Sequence, residues 1–434
     1  MTIIGSRSAA WFEDRKVEYR FPASWQVDVF SHARRRALGP DAIRAALARP
    51  LGCASLRDQL RTGMRVTILC DDISRPTRTD LLLPPLLDLI EECGVAPADV
   101  QIVIASGAHG PMTSEEKGLK LGAAVTDRVS VLDHDARNNL VAAGRTELGT
   151  PLRVHRSVVE CDYRIGVGGV YASTPAGFGG GAKLVLGVCG LDTIRHFHFR
   201  RQGTARGESE QSVFRADLLD AARRLDLRFM VQSTVSEDRE LLSVFAGDLV
   251  AAHGAAVRDA SQVFRLSSVP FDRFDVVVAD AYPFDSSLVF GRKGWWPLDE
   301  CAPGCERLLI AAMPKALGRH DVFPPVASPR VKLEQKYWTT RHVPPRELLS
   351  KLGARLARRS ARGDVRPARK PATVLHGLAT DPRLPDSDVL FTNALDAYCD
   401  GLEATLGKRD VRVGFFRASS LTYRAVNGRS ATGA

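Results

Sequence analysis

The sequence predicts an α/β protein built mainly on parallel sheets, and three observations carry that expectation. Short β-branched apolar runs of strand length recur, the clearest being Arg65-Val66-Thr67-Ile68-Leu69-Cys70 and Val100-Gln101-Ile102-Val103-Ile104-Ala105. Between them Leu81 to Cys93 is apolar, long enough for a helix, and closed by Gly94. Strand, helix and strand in that order imply a right-handed parallel crossover. At 434 residues, with 44% hydrophobic and 25% charged residues, the chain has material for two or three ordinary globular cores.

The other elements follow in chain order. Thr113-Ser114-Glu115-Glu116 offers a helix start with acids in its first turn. Tyr163-Arg164-Ile165-Gly166-Val167 is a third strand, and it leads towards a glycine-rich segment. A second unit starts near Phe271. Its strands are Asp275-Val276-Val277-Val278-Ala279, Leu308-Leu309-Ile310-Ala311-Ala312 and Val411-Arg412-Val413-Gly414-Phe415, with a helix over Leu395 to Leu406. The expected organisation is an N-terminal α/β domain over residues 1–268 and a C-terminal α/β domain over 269–434, the latter carrying an Arg-rich insertion around 351–372.

Composition excludes several classes. No apolar run is long enough to span a bilayer, and Met1-Thr2-Ile3-Ile4-Gly5-Ser6-Arg7 lacks the apolar core of a signal peptide, so a cytoplasmic protein with no membrane partner is expected. Eight cysteines are scattered, several inside apolar runs, which indicates buried free thiols rather than a disulfide framework. Cys301 and Cys305 lie four apart, with no second close pair to complete a zinc site. The net charge of +10 is uneven: Lys351 to Lys370 carries Arg355, Arg358, Arg359, Arg362, Arg366 and Arg369 against the single acid Asp364. No aromatic residues interleave with these arginines, which favours a solvated surface over a nucleic-acid or other polyanion patch.

In parallel sheets, ligands sit beyond the carboxyl ends of the strands. Past the first strand stands Asp71-Asp72-Ile73-Ser74-Arg75-Pro76-Thr77, and past the second Ser106-Gly107-Ala108-His109-Gly110-Pro111. Past the third comes Gly177-Phe178-Gly179-Gly180-Gly181-Ala182-Lys183, followed by His196 and His198. Three polar turns at one sheet edge make a single cleft. A glycine run lets backbone approach a ligand closely, lysine is suited to amine chemistry, and imidazole is the commonest metal ligand type. Together they suggest a phosphorylated small molecule beside a metal; the alternative is a glycine-rich turn with a solvated lysine. A nucleoside-triphosphatase loop is excluded, because Gly181-Ala182-Lys183-Leu184 lacks the adjacent Gly-Lys and the hydroxyl that Mg²⁺ needs.

These motifs, in this order, resemble the nickel-pincer-dependent lactate racemase family. The likeness rests on Asp72-Ile73-Ser74-Arg75-Pro76, the Ser106 to Pro111 turn, Ala176 to Lys183 and the histidine pair, with Pro50-Leu51-Gly52 and Pro303-Gly304 in support. It implies an interdomain active-site cleft and a racemase or epimerase that takes hydride from the α-carbon of a small 2-hydroxy acid and returns it to the other face. It also implies nickel and a pyridinium-3,5-bis(thiocarboxylic acid) mononucleotide-type pincer cofactor, supplied by maturation enzymes. Lys183 matches the lysine that carries this cofactor, in the segment Gly179-Gly180-Gly181. His198 matches the nickel ligand once one residue is deleted, with His196 as the fallback. His109 matches one of two base histidines. Arg75 and Lys293 match residues that meet the substrate carboxylate, and Asp72 would brace Arg75 or a neighbour.

Two family positions differ. Ser173 stands where the second base histidine belongs, and a hydroxyl is a poor base at neutral pH. Phe290 stands where a substrate-contacting glutamine belongs, which suggests a larger or more apolar substrate than lactate. Three readings follow: a racemase of another 2-hydroxy acid with Tyr171, Ser173 or a residue the sequence does not mark substituting for the missing imidazole; a single-base or inactive cofactor-binding homologue; or a polyanion-binding protein using its Arg-rich segment.

Overall fold

The structure is a computed structural model, and it describes residues 1–208, 211–324, 329–340, 373–376, 389–392 and 395–424. The Arg-rich segment around 351–372 lies outside the described residues. Two six-stranded sheets organise the chain. The first runs, in spatial order, Leu241–Asp248, Leu227–Val235, Tyr163–Gly169, Val66–Asp71, Val100–Ala105 and Ser130–Asp133. Every pairing in it is parallel except that of the Leu241–Asp248 edge strand. The Val66–Asp71 strand is buried along its whole length, which explains why its sequence is apolar throughout instead of alternating.

The second sheet is parallel throughout: Val389–Thr392, Thr373–His376, Glu306–Ile310, Val276–Asp280, Arg412–Phe416 and Gln26–Phe30. Its last strand comes from the start of the chain, where Gln26–Phe30 pairs with Arg412–Phe416. We propose that the two sheets mark two domains divided near residue 268. The first thirty residues then depart from that expected cut, because Gln26–Phe30 crosses to the C-terminal sheet.

Local signals account for the elements between strands. The Ser114–Leu121 helix starts at a capping box, Thr113 accepting from the Glu116 backbone N–H and Glu116 returning a bond to the Thr113 backbone. The Thr79–Glu92 helix buries Leu82, Leu83, Leu86, Leu87 and Ile90 against the first sheet's core. The expected helix over Leu395 to Leu406 is present. All eight cysteines are unpaired. Among the described residues no helix is long and apolar enough to cross a membrane.

The N-terminal segment straps the sheets together. Asp285, beyond the second sheet, accepts from the backbone N–H groups of Ala9 (2.8 Å) and Ala10 (3.1 Å). Asp14 receives Arg7, Arg239 and the Tyr282 hydroxyl, each at 2.9 Å. Trp11 donates its indole N–H to the carbonyl of Arg75 at 3.2 Å.

The loop after Val66–Asp71 is fixed by a charge from the Ser114–Leu121 helix. The Lys120 ammonium, fully buried, meets the Asp71 carboxylate at 2.8 Å and donates to the carbonyls of Arg75 and Thr77, both at 2.9 Å. Removing one partner of a buried pair leaves the other charge uncompensated. Lys120→Met should therefore lower unfolding free energy by about 3–5 kcal/mol. Lys117→Met, one turn earlier and breaking the half-buried pair with Asp133, should cost about 1 kcal/mol or less. Chemical denaturation of the two variants checks the ordering, and equal losses would contradict it.

Candidate active site

The turns beyond Val66–Asp71, Val100–Ala105 and Tyr163–Gly169 converge, as their position at one sheet edge requires. They line a cavity of about 510 Å³ together with Lys183, His198 and, from the second sheet's side, Lys293, His320 and Phe323.

His109 is held by Asp72, its Nδ1 lying 2.8 Å from the carboxylate. A carboxylate oxygen only accepts, so Nδ1 carries the proton and Nε2 keeps a lone pair. Burial lowers the His109 pKa, and the Asp72 charge offsets only part of that, so the ring is neutral at neutral pH. Burial alone would raise the Asp72 carboxyl, but His109, Arg75 and the Ser74 hydroxyl outweigh it and hold it well below the carboxylate range. Asp72 thus braces the histidine from behind, in a smaller cavity of about 250 Å³ that it shares with Phe290.

Phe290 does not line the larger cavity. Its ring meets His109 edge-on with centroids 4.8 Å apart, and the Arg75 guanidinium sits 5.7 Å above it. The expectation that this aromatic meets a larger substrate is corrected here: Phe290 buttresses two site residues, which its position after Asp285 in the sequence could not reveal.

Lys183 is enclosed. Burial, then the charges of Arg75 and Arg215, push its amine down to about 7. Its Nζ donates to the Ser173 hydroxyl at 3.1 Å. Ser173 is buried and does not itself line the cavity. The glycines before Lys183 serve packing more than ligand approach. Gly180 lines the cavity, but a Cβ on Gly179 would strike the Tyr171 ring at 2.8 Å and one on Gly181 the His253 ring at 2.6 Å. The Gly181 N–H is anchored on the buried Gln232 side chain at 2.6 Å.

The two histidines of the Leu191–Arg200 helix separate cleanly. His198 lines the cavity, and its Nδ1 donates to the Ile194 carbonyl at 2.8 Å, one helical turn back. That bond leaves Nε2 unprotonated, the arrangement that metal-binding imidazoles use. Burial pushes its pKa down to about 4, so the lone pair is available at neutral pH. His196 is buried elsewhere, with Nε2 3.3 Å from Arg201, and does not line the cavity.

Lys293 is not a solvated turn residue. Burial, then Arg75, Lys183 and Arg206, lower its pKa well below that of a free lysine, and its Nζ stands 5.6 Å from the ring centres of Tyr171 and Phe284. Arg75, Lys183, Arg292 and Lys293 all line the cavity and suit it to an anion. Among the lining residues that escaped the sequence reading are His320 and Phe323. No motif surrounds Gly318-Arg319-His320-Asp321, and only the fold brings this loop to the cleft.

A buried amine whose pKa is lowered to about 7, beside an imidazole with a free lone pair, fits a cofactor carried on lysine and a metal held by one histidine. Among the described residues no group of three or more His, Cys, Asp or Glu is placed to hold a metal ion, so a metal on His198 would take its other ligands from the bound group.

Fold and cleft define an α/β protein whose small-molecule site lies at the carboxyl ends of a parallel sheet. Residues 12–209 match the lactate racemase N-terminal domain family. It is 28% identical over 263 residues to a lactate racemase from Thermoanaerobacterium thermosaccharolyticum and 29% identical over 264 residues to one from Lactiplantibacillus plantarum. Each match covers 58% of this chain and 61% of the relative's length. The lactate racemase apoprotein structure from the former organism superposes with a TM-score of 0.69 at 20% identity, covering 98% of this chain and 100% of that one. A structural-genomics protein from Thermotoga maritima gives 0.61 at 16% identity, covering 90% and 98%. The expected fold is thereby established.

The lowered Lys183 pKa has a direct consequence. A group pushed down to about 7 becomes a free amine as pH rises through 7, whereas an ordinary lysine does so near ~10.4. Brief treatment with dilute acetic anhydride at pH ~7.5 should acetylate Lys183 ahead of the exposed Lys16, and the preference should vanish on unfolding. Peptide mass mapping reads the outcome, and labelling of Lys16 first would refute it.

Proposed function

We propose that the protein is a racemase or epimerase of a small 2-hydroxy acid, with a nickel-pincer cofactor on Lys183 and His109 as base. The observation that carries this reading is that the Lys183 amine, His198 and His109 all open onto one cavity, each in the protonation state its role needs. The likeness to lactate racemases supports it. Lys183 would hold the cofactor covalently and His198 would ligate nickel through Nε2. When bound, that group supplies a reversible acceptor for the hydride of the substrate's α-carbon.

The chain's own side chains do the rest. Arg75 and Lys293 attract the substrate carboxylate, whose charge offsets the burial and the neighbouring positive charges that lower the Lys293 pKa. The Nε2 of His109 accepts the hydroxyl proton and later gives it back, while Asp72 stabilises the imidazolium that forms. Leu184, Leu186, Ile194 and Val289 give the cavity apolar walls, which suits an acid with an apolar side chain larger than that of lactate. The protein's partners would be that substrate and the enzymes that make the cofactor, and its place the cytoplasm.

One observation favours a one-base variant of this reading. The Ser173 hydroxyl, which stands where a second imidazole is expected, accepts from Lys183, and once that amine carries the cofactor it has no basic lone pair left with which to activate the serine. Interconversion should then run unequally from the two enantiomers.

Two measurements test the proposal. After co-expression with cofactor-making enzymes, intact mass should show an adduct that Lys183→Ala abolishes, and metal analysis should show nickel that His198→Ala loses while the adduct stays. Nickel retained at full content in both variants places the site elsewhere. With the loaded enzyme, His109→Ala should lower turnover about 10²–10⁴-fold, the usual contribution of a general base. Ser173→His should narrow the gap between the two directions. Racemisation that survives His109→Ala would refute the assignment of the base.

A further inference from the structure

His320 comes from the loop after Glu306–Ile310 and lies against the His109 turn, with the Asp321 N–H donating to the Ala108 carbonyl at 2.8 Å. Its ring centre is 5.1 Å from that of His109, and both rings line the larger cavity. The two imidazoles are wired in opposite senses. In His320, Nδ1 accepts from the backbone N–H groups of Val322 (3.2 Å) and Phe323 (3.1 Å). A nitrogen that accepts two N–H groups carries no proton, so the neutral ring holds its proton on Nε2. Among the described residues that Nε2–H has no partner. Burial, then the charges of His109, His198, Arg75 and Lys293, strongly disfavour a second proton on the ring.

We propose that His320 contacts substrate through this Nε2–H, donating to the same C2 oxygen that His109 serves as base, and so selects 2-hydroxy and 2-oxo acids over plain carboxylates. The inference rests on the substrate class proposed above. A hydroxyl both donates and accepts: its proton points to His109 Nε2 and a lone pair receives His320. In the 2-oxo form the oxygen only accepts, and the displaced proton on His109 Nε2 makes that ring a donor too. The oxygen is satisfied in both forms, and His320 supplies a fixed donor where negative charge develops. The residue does not replace the missing base, because its Nε2 has no lone pair to offer.

Two substitutions separate this role from a structural one. His320→Asn keeps an acceptor near the Nδ1 position for the loop N–H groups but cannot reach the cavity. His320→Gln places an amide N–H near the Nε2 position and gives up the anchor. Calorimetric titration of the protein as purified, with 2-hydroxy-4-methylpentanoate and with 4-methylpentanoate, reads the contribution of the C2 oxygen. The parent should prefer the hydroxy acid. His320→Asn should lose about tenfold on the hydroxy acid and nothing on the plain acid, the scale of one buried hydrogen bond. His320→Gln should keep most of the preference. A parent without preference, or a His320→Asn variant that retains it, overturns the proposal, as does a ¹⁵N NMR spectrum showing the proton of His320 on Nδ1. Intact mass of the same samples records the Lys183 adduct. Loss of the difference between the two variants in adduct-bearing protein defeats this inference alone, whereas that difference in protein that never acquires an adduct upholds it and defeats the cofactor reading.

Discussion

Everything at the cleft depends on one buried ammonium. Lys120 has no exposed surface and ties Asp71 at the end of the central strand to the carbonyls of Arg75 and Thr77 in the turn beyond it. The other Asp71 oxygen accepts from the Thr77 hydroxyl (2.6 Å) and from the Gly169 N–H (3.0 Å), which adds the third strand to the same knot. The turn that presents Asp72 and Arg75 is therefore set by the Lys120 charge from below together with its own Asp71, Ser74 and Thr77. A buried ion pair adds little net stability over an apolar substitute, but it tolerates few geometries. At this place the restricted geometry sets Asp72 within hydrogen-bond distance of His109 Nδ1.

The cleft also shows how a fold assigns different tasks to the same side chain. His109, His198 and His320 are all imidazoles pushed towards neutrality by burial. What separates them is the partner of Nδ1: a carboxylate, a helix carbonyl and a pair of backbone N–H groups. The first two partners leave Nε2 an acceptor and the third makes it a donor. Burial sets the charge of each ring, and the neighbouring group sets the direction in which it can work.

That division explains what the sequence could and could not convey. The strands were legible because a parallel sheet covered on both faces demands unbroken apolar runs, and Val66–Asp71 and Val100–Ala105 have them. The turns beyond them were legible because parallel sheets place ligands there, and Lys183, His109 and His198 belong to ordered motifs close to those strands. His320 was not legible, since it is a lone histidine with no motif, more than two hundred residues from His109 and joined to it only through the docking of one sheet on the other. The misreading of Phe290 has the same origin. Its place in the chain fixed its neighbourhood, but only packing decides whether a ring faces the cavity or supports the residue that does. The strand Gln26–Phe30 was missed because its exposed, polar-rich edge position lacks the apolar run that marks a central strand.

The cleft needs both sheets, and the contacts that join them bear on the site itself. Arg206, in the segment after the His198 helix, donates to the carbonyls of Lys293 (2.8 Å) and Thr422 (3.0 Å) on the second sheet's side, and burial pushes its pKa down to about 9. It thus fixes the backbone that carries Lys293 while adding positive potential beside it. The Arg319–Asp321 pair flanks His320, and the Arg319 side chain packs on Gly110, next to His109. Gly110 has a φ of +89°, and a Cβ there would stand 3.1 Å from the Arg319 guanidinium. The residues that would bind substrate from the second sheet are thus the same ones that hold the sheets in register, so any opening of the cleft to admit a ligand must move Lys293 and His320 away from Arg75 and His109. An anion between these opposed groups would offset the repulsion that Arg75, Lys183 and Arg206 add to the burial of Lys293.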